Sequence, residues 1–212
     1  EENGHQMGFL RKFMMENAGA AAAKRIEEKY APVWFLDTDY KKILVFAGLG
    51  NNGGDGLVIA RHLAGYGANV TVFLLGKPDN IRSEECSWNW SLLEKMKSVK
   101  LLTGGNLEDL NNLKFKIIID GILGTGISGE IREPHASAIE FINGKVWGGV
   151  VSVDVPSGLN PDTGEANKRC VNANMTVTFH RMKVGMQKRT DVCGEIFVEK
   201  IGIPLEAEIG VL

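Results

Sequence analysis

The chain has 212 residues, 44% hydrophobic and 24% charged, with a formal net charge of −2. That length and balance suit one α/β domain with a sizeable core, and the near-neutral charge gives no reason to expect nucleic acid or an anionic membrane surface as a partner. No apolar run reaches the roughly 20 residues of a membrane helix. Cys86, Cys170 and Cys193 lie far apart, without zinc or disulfide spacing, so a reducing, cytoplasmic setting is the expectation.

In chain order, apolar residues at helical spacing predict a helix over 7–29 (Leu10, Phe13, Met14, Ala18, Ala22, Ile26), with Gly19 read as a packing glycine inside it. An α/β alternation follows. The predicted strands are 42–46, 69–75, 99–102, 115–120 and 150–155, with helices over 56–66, 82–97 and 134–143 and a helical turn over 107–113. Two further β-like stretches, 175–179 and 195–200, close the chain. Near-continuous apolar strands such as Ile117-Ile118-Ile119 are expected where both faces of a parallel sheet are covered by helices. The predicted fold is α/β, a Rossmann-like three-layer α/β/α sandwich on a mostly parallel, doubly wound sheet, as one domain over 1–212.

Three predicted strands end in polar, glycine-rich loops. The first reads Gly48-Leu49-Gly50-Asn51-Asn52-Gly53-Gly54-Asp55-Gly56, the second Asp120 to Glu130, and the third Asp154-Val155-Pro156-Ser157-Gly158. In such sheets ligands bind beyond the carboxyl ends of the strands, near the point where the winding reverses. The glycines are expected to admit close approach of a ligand and positive φ, and the helix they open favours phosphate at its N-terminus. Asp55 also reads as a cap for that helix. The spacing Gly48-x-Gly50-x-x-Gly53 fits the dinucleotide fingerprint, but the second strand ends Leu75-Gly76-Lys77 without the acid that a nicotinamide dehydrogenase places on the adenosine ribose. Ordinary redox use of the fold is disfavoured. Backbone N–H groups around 124–130, with the hydroxyls of Thr125 and Ser128, suit phosphate oxygens, and oxygens near Asn52, Asp120 and Ser157 suit a hard cation. Bland readings stand beside these: Asp120 and Asp154 as loop braces, Ser157 bonding its own turn, His62 as packing or surface. Lys183 reads as a candidate phosphate partner.

NNGGDG at 51–56, DGILGTGISGE at 120–130 and VDVPSG at 153–158 resemble the YjeF N-terminal family, whose enzymatic members are NAD(P)H-hydrate epimerases. Met15-Glu16-Asn17-Ala18-Gly19 and Thr178-Phe179-His180 with Lys183 extend the resemblance over nearly the whole chain, from about Met7 to Ile203. It implies an isomerase interconverting the R and S epimers of NADH or NADPH hydrated at nicotinamide C6, so that a partner dehydratase specific for the S form repairs both. Carried over residue by residue, the substrate lies on Asn51, Asn52, Gly53, Gly54 and Asp55, on Gly124, Thr125, Gly126, Ile127, Ser128, Gly129 and Glu130, and on Asp154 at the reacting end. A potassium ion falls to Asn52, Asp120 and Ser157. The resemblance further implies a homodimer and a dehydratase partner, fused C-terminally in many microbes. The start at Glu1 and the end at Leu212 fit either one whole domain or a piece of such a longer chain. The reacting carbon is a hemiaminal, and its configuration is lost by expelling water or by ring opening. Either route moves a proton at oxygen, the work expected of Asp154. The contrasting class, a non-catalytic scaffold of this fold, is expected to lose the loop glycines and carboxylates that this chain keeps.

Overall fold

The computed structural model of the protein describes residues 2–104, 106–126 and 129–210. Its centre is a seven-stranded sheet in the order β3-β2-β1-β4-β5-β6-β7, every neighbouring pair parallel. The strands are β1 Lys42–Ala47, β2 Asn69–Leu75, β3 Val99–Gly104, β4 Ile117–Gly121, β5 Gly149–Val153, β6 Met175–Phe179 and β7 Glu195–Glu199. From β1 the chain winds outward to β3, then returns to lay β4 against the other side of β1 and continues to β7. The winding therefore reverses between β1 and β4, and a crevice opens beyond their carboxyl ends.

Alternation along the strands sorts side chains onto two faces. Ile43, Val45 and Ala47 of β1, with Val70, Val72 and Leu74 of β2 and Ile117 and Ile119 of β4, pack beneath α2 (Arg11–Trp34), α3 (Asn51–Gly65) and α4 (Glu84–Leu93). Leu44, Phe46, Phe73 and Ile118 face the opposite way, against Ala136, Ala138, Ile139 and Ile142 of α5 (His135–Asn143). Burial on both faces explains why these strands read as unbroken apolar runs.

The predicted first helix is one helix that starts and ends later than expected, and a further short helix stands before it. A short α1 (Glu2–Gln6) precedes α2, and Gly8, at φ +96°, lets the chain turn between them. The motif at 15–19 then proves to be a brace. Glu16 accepts from His62 Nε2 at 2.8 Å and pairs with Arg61, both on α3, while Asn17 Nδ2 donates to Ile201 O at 3.0 Å. A Cβ on Gly19 would stand 2.4 Å from Val58, so this glycine does let α2 and α3 pack closely.

The glycine-rich first loop departs further from expectation. The helix begins at Asn51 rather than Gly56, with Gly50 as its extended N-cap, and none of Gly48, Gly50, Gly53, Gly54 or Gly56 has positive φ. Asp55 lies inside α3 and is not its cap. The glycines are needed for contact. A Cβ on Gly48 would lie 2.0 Å from Ile122 O, and one on Gly53 would lie 1.9 Å from Gly48 O. Gly54 leaves room for Met15, whose Cε would be 2.6 Å from an added Cβ. Glycine inside a helix costs about 1 kcal/mol relative to alanine, which close backbone packing must offset here. Gly53→Ala is therefore expected to destabilise the fold by about 3 kcal/mol or more, at the upper end for overpacking. Gly65→Ala, with nothing within 4 Å at the far end of the same helix, is expected to be neutral or to stabilise by up to about 1 kcal/mol. Urea melts of the two variants check the contrast; equal midpoints would refute it.

Candidate active site

Asp120 is the next-to-last residue of β4, in register with Phe46 of β1 and Ser152 of β5, and is wholly buried. Its Oδ2 accepts from Ser152 Oγ at 2.8 Å and Ser157 N at 2.9 Å, and its Oδ1 from Ser157 Oγ at 2.5 Å and Ile122 N at 3.3 Å. Ser157 Oγ also accepts from Leu123 N at 2.9 Å, so the serine ties the second loop to the third instead of closing only its own turn. Every one of these donors is neutral. Burial pushes the Asp120 carboxyl above its ordinary range, and the hydrogen bonds of Ser157, Ser152 and Ile122 pull against that.

Asn52 reaches the same place from α3. Its Nδ2 donates to Val153 O at 2.7 Å, and its backbone and Cβ lie against Gly121 and Gly124, where added Cβ atoms would come within 3.1 and 3.2 Å. Its Oδ1 is buried without a hydrogen-bond partner among the described residues. An unpaired buried amide oxygen costs about 1–3 kcal/mol, and a site that retains one is suited to receive a ligand there.

Asp154 follows β5 with φ +66°, a left-handed conformation that aspartate tolerates better than most residues and that clusters at functional sites. The backbone is fixed by Asp154 N donating to Val177 O at 2.8 Å. Its Oδ1 accepts from Thr178 Oγ1 at 3.1 Å and Phe179 N at 3.2 Å, and pairs with Lys183 Nζ. Lys183 also donates to Thr178 Oγ1 at 2.9 Å and Phe179 O at 3.1 Å. The lysine is thus spent on Asp154, which corrects its reading as a phosphate partner. His180, also left-handed at φ +65°, turns to Glu208 at 2.7 Å and is no part of this group.

A cavity of about 730 Å³ joins these pieces at the winding reversal. Leu49, Gly50, Asn51 and Asn52 line it from the first loop and α3, Gly124, Thr125, Gly126 and Glu130 from the second loop, and Asp154 from the third. Gly53 and Gly54 are buried in helix packing, and Asp55 lines a neighbouring cavity of about 550 Å³ that shares Asn51. Gly129 has φ +85°, and its carbonyl accepts from Asn167 Nδ2 at 3.2 Å. Ile127 and Ser128 lie outside the described residues. Sequence reasoning missed Arg82, Arg132 and His135, which also line the cavity. The available signal was a basic residue following the very strand that lacks the ribose acid. Among the described residues no group of three or more His, Cys, Asp or Glu could hold a metal ion, so any cation here must rely on neutral oxygens beside one carboxylate.

A family model described as YjeF-related protein N-terminus matches residues 11–185. The chain belongs to this family. Among YjeF-related relatives, the NAD(P)H-hydrate epimerase of Nitrosopumilus maritimus is 63% identical and that of Cenarchaeum symbiosum 60% identical, each match covering 100% of this chain and 95% of the relative. The bifunctional NAD(P)H-hydrate repair enzyme of Methanothermobacter thermautotrophicus is 44% identical over 98% of this chain, which spans 39% of that longer protein. The crystal structure of yeast ynu0 matches with a TM-score of 0.71 at 31% identity, over 84% of this chain and 74% of that one. The α/β fold and the family expected from the loop motifs both hold.

Proposed function

We propose that this protein is an NAD(P)H-hydrate epimerase, an isomerase that interconverts the R and S hydrates. The observation that carries the reading is the left-handed, ion-paired Asp154 on the wall of a cavity whose other walls are the family's glycine loops. Relatives at 60–63% identity over the whole chain bear that enzyme's name.

The substrate's C6 carries a hydroxyl and is bonded to N1. Thr178, Phe179 N and Lys183 all engage Asp154 as a carboxylate, which suits it to take a proton. It removes the C6 hydroxyl proton, the C6–N1 bond breaks as C6=O forms, and the proton is returned to N1. The aldehyde then recloses on its opposite face by the reverse steps. The segments at 49–52 and 124–126 supply backbone groups for the pyrophosphate, with the α3 N-terminus beside them. Asp154→Asn is expected to lower kcat for R-to-S conversion, followed by chromatography, by about 10²–10⁴-fold. In ¹⁸O-water the first turnover should retain the original oxygen at C6. Prompt label incorporation would instead require water expulsion.

The cation we propose is potassium, held by Asn52 Oδ1, Asp120 and Ser157. The fit rests on the orphaned Asn52 oxygen and on a buried carboxylate that meets only neutral donors. When bound, the ion supplies positive charge that neutralises Asp120 and fixes the three loops. Replacing choline chloride with potassium chloride at constant ionic strength should raise the Tm, and Asp120→Asn should abolish that rise.

For the expected homodimer we propose an apolar surface patch as the interface. Phe13 is 63% exposed beside Leu10, Phe9 and Met7 near the start of α2, and such a patch is unusual on a lone monomer. Sedimentation equilibrium should give a dimer for the native chain and a monomer for Phe13→Glu. No helix among the described residues is long and apolar enough to cross a membrane, and the three cysteines are free and buried. The proposed setting is cytoplasmic, beside an NAD(P)H-hydrate dehydratase, and the longer relatives named bifunctional NAD(P)H-hydrate repair enzymes carry a second activity in the same chain.

A further inference from the structure

The protein has eight arginines. Six of them, Arg11, Arg25, Arg61, Arg169, Arg181 and Arg189, are engaged in ion pairs with carboxylates. The remaining two, Arg82 and Arg132, make no side-chain ion pair or hydrogen bond among the described residues, and both line the same cavity as Asp154. They come from different elements. Arg82 lies between β2 and α4, its backbone N–H fixed on Leu49 O at 2.8 Å, and Arg132 precedes α5. His135, the first residue of α5, lines the cavity with them. Burial and then the charge of Arg82 hold its imidazole below the usual range, while a hydrogen bond to the Arg132 backbone pulls the other way. Glu130, on the same wall, is paired with neither arginine.

Position says what these guanidiniums meet. Asp154, at the end of β5, marks the reacting nicotinamide, and the α3 N-terminus beside β1 and β4 takes the pyrophosphate. Continuing in the same direction, the next strand is β2. From β5 to β2 is three strand spacings, about 14 Å at 4.7–4.9 Å each, roughly the reach of a dinucleotide from its nicotinamide to its adenosine ribose. In doubly wound folds the end of the second strand decides between the two nicotinamide dinucleotides. An acid there holds a free 2′-hydroxyl, whereas an arginine nearby accommodates a 2′-phosphate. This chain has Leu75-Gly76-Lys77 at that strand end and then Arg82 on the cavity wall.

We infer that Arg82 and Arg132, assisted by His135, form a subsite for the adenosine 2′-phosphate, and that this epimerase therefore selects NADPH hydrate over NADH hydrate. The inference rests on the epimerase reading for the orientation of the ligand. Paired guanidiniums suit it because each offers a planar fork of donors to phosphate oxygens.

Two measurements test it. Calorimetry with NADP⁺ and NAD⁺, probes that differ only in the 2′-phosphate, should give at least tenfold tighter binding of NADP⁺ to the native protein. Arg82→Ala/Arg132→Ala should narrow that ratio to within about threefold, and the native preference should shrink as salt is raised. In the enantiomer-resolved assay, kcat/KM should favour NADPH hydrate by a similar factor, and the double substitution should collapse that ratio. Equal affinity of the native protein for the two probes, or a double variant that weakens both by the same factor, overturns the inference. A native enzyme that epimerises both hydrates without preference sinks the subsite and leaves the function standing. Absence of turnover on either hydrate sinks the function, and calorimetry still decides the subsite.

Discussion

The site depends on one buried carboxylate. Asp120 lies near the end of β4 at the centre of the sheet and accepts from Ser152 on β5, from Ser157 in the loop beyond β5, and from Ile122 in its own loop. A carboxylate wholly removed from water is costly unless its oxygens are satisfied. The loops after β4 and β5 are consequently not free to move apart. Removing any one donor would leave charge unsatisfied in the interior, so the arrangement behaves as a unit. Asn52 joins it from α3 by donating to Val153 O, which locks the helix N-terminus against the same strand ends.

A second constraint is steric. Gly48 and Gly53 bring the first loop, the α3 N-terminus and the second loop to a separation that no Cβ could occupy. Backbone N–H groups can therefore face a pyrophosphate with little side-chain bulk between. Asp154 is placed differently. It is held in a left-handed conformation by Val177 O and oriented by the Thr178–Lys183 cluster beyond β6, so its position is set by the strand next to its own. The proposed reacting end and phosphate end are thus built by separate parts of the sheet, joined through Asp120 and Asn52.

Much of this was legible in the chain. Runs such as Ile117-Ile118-Ile119, bounded by glycine and polar residues, locate strands because burial on both faces leaves no polar position. The three loops were legible because glycine, asparagine and aspartate cluster where strands end. Helix bounds were less so. The start of α3 was placed at Gly56 because Gly53 and Gly54 weaken helix propensity, whereas contact with Gly48 and Met15 requires them inside the helix. The role of Lys183 was misread because its partner lies 29 residues earlier in the chain.

By itself, then, the sequence determined the elements, their alternation, the three loops and the family to which they belong, since these follow from local composition and spacing. Tertiary structure alone decided that Asp120 and Ser157 are hydrogen-bond partners, that Asn52 Oδ1 is buried with no partner among the described residues and that Lys183 serves Asp154. It alone placed Arg82 and Arg132 on the wall of the same cavity. The physical reason is that a charge's role depends on what stands within a few ångströms, and in a parallel sheet those neighbours come from crossovers tens of residues away.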